Sequence, residues 1–309
     1  MPGLVPGIHV FRDAVKTCMA GTNRRGMGSS PVGAVGMKST MAVIDPTVRI
    51  ERGAAIGKDV SIGPYCVIGP HVVIGDGCRL VGHVHVTGYT SIGPRTVLYP
   101  FCSLGTPPQS IKYRGGPTRV TVGAECDIRE GVTINTGTED GRGLTEIGDR
   151  CFLMVGSHVA HDCKVGSDVI FANNVALGGH VTTGDFVVFG GQAAVRQFVR
   201  IGEGAMVVGL SGVRADVIPF GLVQGPLARL IGLNVVGMRR RGFPKAAIGQ
   251  LRQAYEAIFF GAGTFRDRLD AVAASNGEDA LVAKVIAFIR SGSQPLTMAV
   301  RRALVDEEP

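Results

Sequence analysis

The chain has 309 residues, of which 45% are hydrophobic and 18% charged, and its formal net charge is +7. This length allows a large buried core, and no apolar run reaches the roughly 18 residues of a membrane span, so we expect no stable membrane insertion. Seven cysteines without a CxxC pair argue against a disulfide framework and favour a reducing cytoplasm. The positive charge favours an acidic partner, with nucleic acid, anionic lipid, a phosphorylated metabolite and an acidic carrier protein all open at this point.

Residues 1–40 differ from the rest of the chain. They are basic, rich in Gly, Ser, Met and Pro, and contain one acidic residue, Asp13. They lack the apolar stretch followed by a small-residue cleavage site that marks a signal peptide. We predict a flexible N-terminal extension, or upstream sequence read from a start site assigned too early, with Met41 as the real beginning.

A period of six residues runs through the middle of the chain. Every sixth residue is hydrophobic, apart from Thr183, in three stretches: Ile44, Ile50, Ile56, Ile62, Ile68, Ile74, Leu80, Val86, Ile92, Leu98, Leu104; Val122, Ile128, Ile134; and Ile147, Leu153, Val159, Val165, Phe171, Leu177, Thr183, Phe189, Val195, Ile201, Val207, Val213. A helix would repeat at 3.6 residues and a simple strand at 2. The period of six therefore predicts a short strand and a tight turn, repeated, with the ladder side chain pointing into a common core.

The cysteines support this interpretation. Six of the seven lie two residues before a ladder position: Cys66, Cys78, Cys102, Cys126, Cys151 and Cys163. Positions two apart on a strand face the same side, here the inside, where cysteine acts as a small hydrophobe. The pattern resembles hexapeptide-repeat proteins over residues 44–213. That resemblance implies a left-handed parallel β-helix with three hexads per coil, to which we assign residues 41–220.

The ladder is interrupted at about residues 105–121 and 135–146. Loops that leave a regular solenoid usually carry function, although a tolerated surface insertion is the alternative. Residues 221–309 change to helical apolar spacing, as in Ile248, Leu251, Tyr255 and Phe259, with Pro244 where a helix begins. We predict a C-terminal α-helical domain, for which capping of the solenoid is a purely structural explanation.

Chemistry-bearing side chains concentrate between Gly156 and Cys163. Asp162 and His180 are 18 residues apart, which is one coil, so they are expected to stack on one face. A histidine beside a carboxylate is typical of a general base, here His161 with Asp162. Histidines on a surface turn, or zinc ligation by histidines across subunits, are the alternatives. Cys163 should lie inside the prism and is not expected to act as a nucleophile.

Several motifs together resemble one family, the UDP-N-acetylglucosamine acyltransferases that begin lipid A synthesis. The resemblance covers the chain from about residue 42 to the C-terminus. It is carried by these segments: Gln109-Ser-Ile-Lys-Tyr113, Pro117–Val120, His158-Val-Ala-His-Asp-Cys163, Ala172–Asn174, Gly178–His180, Gly190–Gly191, Gln197–Phe198 and Asn234–Phe243.

The resemblance implies a cytoplasmic homotrimer with active sites between adjacent prisms. Such an enzyme transfers an (R)-3-hydroxyacyl chain from acyl carrier protein to the sugar 3-hydroxyl, without a metal or other cofactor. By the same resemblance His161 is the general base, Asp162 orients it, and the backbone N–H of Gly179 holds the thioester oxyanion. No nucleic acid partner is expected.

Substrate binding is also implied by the resemblance. Lys112 and His158 would contact the sugar and phosphate region with His180 nearby, Gln109 and Tyr113 belong to the matching loop, and Gly209 matches the position that sets acyl length. Gln197, Asn234 and Arg241 would contact the nucleotide, with Arg240 beside them. The run Arg239–Arg241 suits docking of the acidic carrier protein, whereas for Arg239 a solvated helix end explains the charge equally well.

Three positions depart from the family pattern: Ser110 in place of an acidic residue, Arg196 in place of histidine, and Val236 in place of glutamate. Ser110 leaves open N-acylation of a 3-amino analogue of the sugar. Two further alternatives are a zinc-binding prism of the carbonic anhydrase kind and a non-catalytic scaffold. The N-acyltransferase that acts later in the pathway carries a uridine-binding domain before its prism, and 40 residues are too few and too polar for one.

Overall fold

The computed structural model describes residues 42–276 and 279–300, so the predicted extension of residues 1–40 lies outside the described residues. The strands are β1 Val43–Ile44, β2 Arg49–Ile50, β3 Ala55–Ile56, β4 Ser61–Ile62, β5 Val67–Ile68, β6 Val73–Ile74, β7 Arg79–Leu80, β8 His85–Val86, β9 Tyr89–Ile92, β10 Val97–Leu98, β11 Ser103–Thr106, β12 Arg119–Val122, β13 Asp127–Ile128, β14 Thr133–Asn135, β15 Leu144–Ile147, β16 Phe152–Leu153, β17 His158–Val159, β18 Lys164–Val165, β19 Ile170–Phe171, β20 Ala176–Leu177, β21 Thr182–Thr183, β22 Val188–Phe189, β23 Ala194–Val195, β24 Arg200–Ile201, β25 Met206–Val207, β26 Gly212–Val213, β27 Gly221–Gln224 and β28 Arg229–Leu233. The helices are α1 Val235–Arg240, α2 Lys245–Phe260, α3 Phe265–Asn276 and α4 Ala280–Arg290.

From β1 to β26 each strand pairs with the third strand along the chain, and β27 and β28 extend one of the resulting sheets, so that the three sheets have eleven, nine and eight strands. Pairing between these coil strands is parallel, so that ladder residues of successive coils lie opposite one another, as Ile128 does with Leu153. The corners between strands need a residue in the left-handed region, a conformation that Gly, Asn and Asp adopt most readily. Asn174, with φ of 60°, is one of them. The prediction of a left-handed parallel β-helix with a small C-terminal helical part is confirmed.

The ladder side chains form the core of the prism. From Ile62 onward they are buried, and the six cysteines that precede ladder positions are at most 1% exposed. Thr183 is also buried, and its hydroxyl accepts a hydrogen bond from the backbone N–H of Gly166, which satisfies the polar group inside the prism. The expectation of a common core is wrong for Ile44 and Ile50, which are 42% and 37% exposed. They lie on terminal strands, and no described coil covers them.

Both interruptions of the ladder are loops that leave the prism and rejoin it in register. The first, called loop 1 here, spans residues 107–118 between β11 and β12, and loop 2 spans residues 136–143 between β14 and β15. Strand β12 pairs in register with both β9 and β15, so the sheet that the loops rejoin is continuous. The two loops touch, because backbone amides of loop 1 donate to Glu139 in loop 2.

The C-terminal part closes the far end of the prism. Strand β27 adds to β25 in parallel, and β28 returns antiparallel to β27, so strands continue beyond residue 220 and the boundary placed there stays a prediction. Helix α2 follows Pro244, and Ile248, Leu251, Tyr255 and Phe259 are all buried, as their helical spacing predicts. Among the described residues, none of the helices has the length and hydrophobicity to cross a membrane.

Candidate active site

A single edge of the prism carries a histidine pair and a carboxylate. Asp162 occupies the left-handed corner between β17 and β18, and His180 and Phe198 occupy the same corner in the next two coils, with φ between 60° and 67°. The corners are tied by backbone hydrogen bonds, from His180 N–H to the carbonyl of His161 and from Phe198 N–H to that of Gly179. The coil repeat therefore brings together residues that the 18-residue spacing placed on one face.

The three polar side chains are in contact. The Nδ1 atom of His161 lies 2.8 Å from Asp162 Oδ2, and Nε2 of His180 lies 3.8 Å from the same oxygen. The two imidazole rings meet edge to face with centroids 5.0 Å apart, and the ring of His180 stacks on Phe198 at 4.4 Å. Asp162 is completely buried, whereas both histidines keep part of their surface exposed. Their exposed edges are accessible to a substrate.

Loop 2 holds the buried carboxylate in its ionised form. The hydroxyl of Thr138 donates to Asp162 Oδ2 at 2.6 Å, and the backbone N–H of Thr138 lies 3.1 Å from both carboxylate oxygens. Burial raises the pKa of Asp162, but the hydrogen bonds from Thr138 and His161 outweigh it and keep that pKa below its ordinary value. Because an ionised carboxylate only accepts hydrogen bonds, Nδ1 of His161 is the donor, and in the neutral form of the ring Nε2 carries the free lone pair.

Gly179 lies directly beneath the His161 ring. A Cβ atom at this position would stand 2.6 Å from Nε2 of His161, so any larger residue would displace the imidazole. The glycine is therefore required by the close approach of ring and backbone. The peptide of Gly179 is next to the nitrogen that carries the free lone pair.

His158 lies four residues before Asp162, on β17. Its Nδ1 is 2.7 Å from the hydroxyl of Thr133 on the neighbouring strand β14. Burial lowers the pKa of His158, and the neighbouring His161 lowers it further. Burial likewise lowers the pKa of His180, against the opposing effect of Asp162. Both imidazoles are consequently uncharged at neutral pH.

Loop 1 presents its predicted substrate residues to solvent. Gln109 and Lys112 are exposed, and Tyr113 turns back to donate its hydroxyl to the carbonyl of Gly116 at 2.9 Å. Gln197 is also exposed, beside Phe198 on the histidine-bearing edge. Gly209 lies on a different edge, where a Cβ atom would stand 3.1 Å from the carbonyl oxygen of Gly191 one coil below.

The predicted nucleotide residues around α1 have contacts within the chain. Asn234 caps α1 by accepting from the N–H of Gly237, and its amide donates to the carbonyl of Gly204. Arg241 donates to Glu203 at 2.6 Å, and its guanidinium lies 3.9 Å from the ring centroid of Phe186. Arg240 is exposed. The structure does not bring these residues next to His161 in one chain.

Family models and known relatives show the family of this chain. The model described as UDP-N-acetylglucosamine O-acyltransferase domain 2 matches residues 216–297, and the bacterial transferase hexapeptide model matches residues 53–88 and 144–179. The chain is 51% identical over 268 residues to acyl-[acyl-carrier-protein]–UDP-N-acetylglucosamine O-acyltransferase of Azorhizobium caulinodans, which covers 87% of this chain and 99% of the relative. The chain belongs to the UDP-N-acetylglucosamine O-acyltransferase family. A relative of the same name from Rhizobium johnstonii is 47% identical, over 82% of this chain and 93% of its own length.

Solved structures of family members have the same architecture. LpxA from Acinetobacter baumannii is 38% identical with a TM-score of 0.77, over 84% of this chain and all of that one. The UDP-N-acetylglucosamine acyltransferase of Francisella novicida is 27% identical with a TM-score of 0.81, over 86% of this chain and all of that one.

In this UDP-N-acetylglucosamine O-acyltransferase family member, sequence reasoning missed the residues that hold Asp162. Besides Thr138, the backbone of loop 2 lies against the carboxylate, since a Cβ atom on Gly141 would stand 2.5 Å from Asp162 Oδ2, and one on Gly137 2.8 Å from Oδ1. The interruption at residues 135–146 and its three glycines were the available signal. Neither shows which side chain the loop covers.

Two other chemistries, a cysteine nucleophile and a metal site, would use residues in or next to this cluster. Cys163 is fully buried, and burial raises the pKa of its thiol to about 12, so the prediction that it lies inside is confirmed. His161, Asp162 and His180 place donor atoms within 4.8 Å of one another, a spacing compatible with a metal ion. In this family member the same three residues also have the geometry of a charge-assisted general base, and the two roles exclude each other at Nε2 of His161.

Proposed function

We propose that this chain transfers an (R)-3-hydroxyacyl group from acyl carrier protein to the 3-hydroxyl of UDP-N-acetylglucosamine, the first step of lipid A synthesis. The observation that carries the proposal is the buried Asp162 carboxylate, 2.8 Å from Nδ1 of His161, with the opposite ring nitrogen over the Gly179 peptide. The names of the relatives, at up to 51% identity, support the same donor and acceptor.

His161 acts as the general base in this mechanism. Its Nε2 takes the proton of the sugar 3-hydroxyl while that oxygen attacks the thioester carbonyl carbon. Asp162 stabilises the imidazolium that forms, and the N–H of Gly179 donates to the oxyanion of the tetrahedral intermediate. When the C–S bond breaks, the imidazolium returns its proton to the leaving sulfur, so an ester and a free thiol result. A thioester is activated enough for direct attack, without a covalent enzyme intermediate.

The acceptor is held by groups around this edge. His158 is uncharged and tied to Thr133 at 2.7 Å, which orients the imidazole for a hydrogen bond to the sugar. His180 lies beside it, and Lys112 supplies a positive charge for the diphosphate from loop 1. Gln109 and Tyr113 belong to the same loop, and we assign them to the acceptor as well.

A homotrimer completes the site in this proposal. Gly209, Asn234 and Arg240 lie away from His161 within one chain, and an adjacent prism would bring the same residues of another copy to it. Large apolar side chains exposed on the single chain, among them Tyr65 at 60% and Phe101 at 68%, support burial between copies. We place the enzyme in the cytoplasm, in keeping with the six buried, free thiols of the described residues.

The carrier protein and the nucleotide would meet the region around α1. Arg239 and Arg240 are exposed in its last turn, and we assign them to the acidic carrier protein, with Arg240 also next to the nucleotide. Gln197, Asn234 and Arg241 are assigned to the nucleotide. Because Asn234 and Arg241 already have partners in the chain, we expect their contribution to be partly indirect, through the position of α1.

Donor and acceptor are tested together in one assay. Purified protein is supplied with hydroxyacyl carrier proteins of several chain lengths, and each is offered both UDP-N-acetylglucosamine and its 3-amino analogue. We expect a base-labile ester on the hydroxy sugar, with one preferred chain length, and Gly209→Met should move that preference to shorter chains. A base-stable amide on the amino sugar alone would assign N-acylation instead, and no product with either sugar would contradict acyl transfer altogether.

Metal analysis of the same preparation tests the zinc alternative. We expect no stoichiometric zinc and full activity after chelation, because the proposed reaction uses Nε2 of His161 as a proton acceptor. Bound zinc that is lost in a His180→Ala variant would instead assign the three residues to a metal site.

A further inference from the structure

One side chain joins the two loops beside the site. The Oε1 atom of Glu139, in loop 2, accepts hydrogen bonds from the backbone N–H groups of Arg114 at 3.1 Å and Gly116 at 2.6 Å, both in loop 1. The hydrogen bond from its own backbone amide lowers the pKa of Glu139, and the bonds from Gly116 and Arg114 add to this effect. The acceptor is therefore charged, and charge-assisted hydrogen bonds are the stronger kind.

The contact is closely fitted on the side of loop 1. A Cβ atom on Gly116 would stand 2.6 Å from Cγ of Glu139, so a larger residue there would push the Glu139 side chain out of this position. The carbonyl of Gly116 in turn accepts from the hydroxyl of Tyr113 at 2.9 Å. Glu139 is thus bound to a folded segment that includes Tyr113 and directly follows Lys112.

The residue before Glu139 faces the other way. Thr138 donates twice to the buried Asp162, through its hydroxyl at 2.6 Å and its backbone N–H at 3.1 Å. Thr138 therefore holds the carboxylate beside the general base, and the next residue, Glu139, holds loop 1, which carries Lys112. The intervening distance is one peptide unit, which is rigid.

We propose that Glu139 is a positioning residue, which fixes loop 1, and with it Lys112, relative to the His161–Asp162 pair before the sugar nucleotide binds. The proposal rests on the proposed function. An exposed loop that is ordered in advance loses less conformational entropy when substrate binds, so the benefit belongs to binding of the acceptor. Glu139 itself makes no contact with the reacting atoms, and the chemical step should not depend on it.

Kinetics with saturating acyl donor separate binding from chemistry. Glu139→Ala should raise KM for the UDP-sugar about 5- to 50-fold and leave kcat within about threefold of wild type. Glu139→Gln should stay within about threefold for both constants, because its amide oxygen can accept the same two hydrogen bonds. Asp140→Asn is the matched control, since it removes one negative charge from the next residue of the same loop and should change neither constant.

A second variant breaks the contact from the opposite side. Gly116→Ala should raise the same KM, and the double variant with Glu139→Ala should be no worse than the single ones, because both remove one interaction. Hydrogen exchange should show faster exchange of the Arg114 and Gly116 amides in Glu139→Ala, and unchanged exchange in Asp140→Asn.

These experiments distinguish a failure of the proposed function from a failure of the positioning role of Glu139. Wild-type protein without transfer activity would contradict the proposed function. An active wild type would leave that function intact, while the positioning role would fail if Glu139→Ala matched it in KM or if the loss appeared in kcat. Additive effects of Glu139→Ala and Gly116→Ala, or unchanged exchange of the two amides, would also overturn the positioning role.

Discussion

Two edges of the same prism have the same left-handed backbone conformation at their corners but carry side chains of different chemistry. One edge, called the ion-pair edge here, carries left-handed residues Arg95, Glu125, Arg150 and Asp168, with Arg95–Glu125 and Arg150–Asp168 paired at 2.6 and 2.7 Å. The other, the histidine edge, carries Asp162, His180 and Phe198 at the equivalent corners. Side chains on the ion-pair edge keep 26% to 63% of their surface exposed, whereas Asp162 is completely buried.

Loop 2 accounts for the difference between the edges. Its glycine backbone and Thr138 cover Asp162, so that the carboxylate interacts with His161 without competition from water. An ion pair exposed to water contributes little to the free energy of unfolding. A hydrogen bond to a charge that is shielded from water is electrostatically stronger. A corner of the solenoid therefore becomes a candidate active site when an insertion covers it, with no change in the coil itself.

The largest difference between the edges is expected in catalysis. His161→Ala should lower kcat about 10²- to 10⁴-fold because it removes the general base. Steady-state rates, with size-exclusion chromatography to show that the assembly survives, provide the measurement. Near-full activity of this variant would assign the base elsewhere.

Opening the cover of the histidine edge should have the next largest effect. Gly141→Ala would place a methyl group 2.5 Å from Asp162 Oδ2, so loop 2 or the carboxylate must move. We expect kcat to fall about 10- to 100-fold, the scale of a misplacement near 1 Å.

Gly249→Ala is the matched control for this loop variant. Gly249 lies in α2 with nothing within 4 Å of its Cβ position, and alanine should stabilise that helix by about 0.5–1 kcal/mol without affecting activity. Equal activity of Gly141→Ala and Gly249→Ala would show that the loop cover does not matter.

Acid should destabilise the histidine edge selectively. The pKa values of His158, Asp162 and His180 are all lowered, so the unfolded chain binds protons at these groups at a higher pH than the folded chain. Stability therefore falls as the pH decreases, first below the ordinary histidine value of 6.5 and then below the ordinary carboxyl value of 3.8. Urea unfolding at fixed protein concentration between pH 8 and 5 measures the first part.

A histidine on an equivalent strand provides the control for this pH dependence. His158→Gln should reduce the dependence of the free energy of unfolding on pH, whereas His85→Gln should leave it unchanged. Both histidines begin two-residue strands of one sheet, but only His85 is exposed. A slope that is the same in both variants would assign the acid sensitivity to other groups.

The smallest effect is expected on the ion-pair edge. Arg150→Ala removes an exposed pair with Asp168, and such pairs contribute little in water. Activity and the midpoint of thermal unfolding should both remain at the wild-type value. A clear loss in either would mean that this edge is covered in the assembled enzyme.

The repeat was predictable because its physics is local. Each hexad must place one apolar side chain inward and turn a corner, so the period of six, the buried cysteines and the stacking of Asp162 with His180 follow from spacing alone. The family resemblance singled out His161 and Gly179, and the structure places them in contact. The two loops were recognisable as interruptions, but their contacts were not, because Thr138, Glu139 and Gly116 act through pairings between segments that no period relates.

The sequence by itself therefore determined the coil, its core and the edge on which the histidines stand, since all three depend on residues at regular separations. Only the tertiary structure decided that loop 2 buries Asp162, that Glu139 joins the loops, and that Arg241 pairs with Glu203. The physical reason is the separation along the chain over which each interaction acts. Periodic burial acts between neighbouring coils, whereas the ionisation of one carboxylate depends on whichever distant backbone happens to cover it.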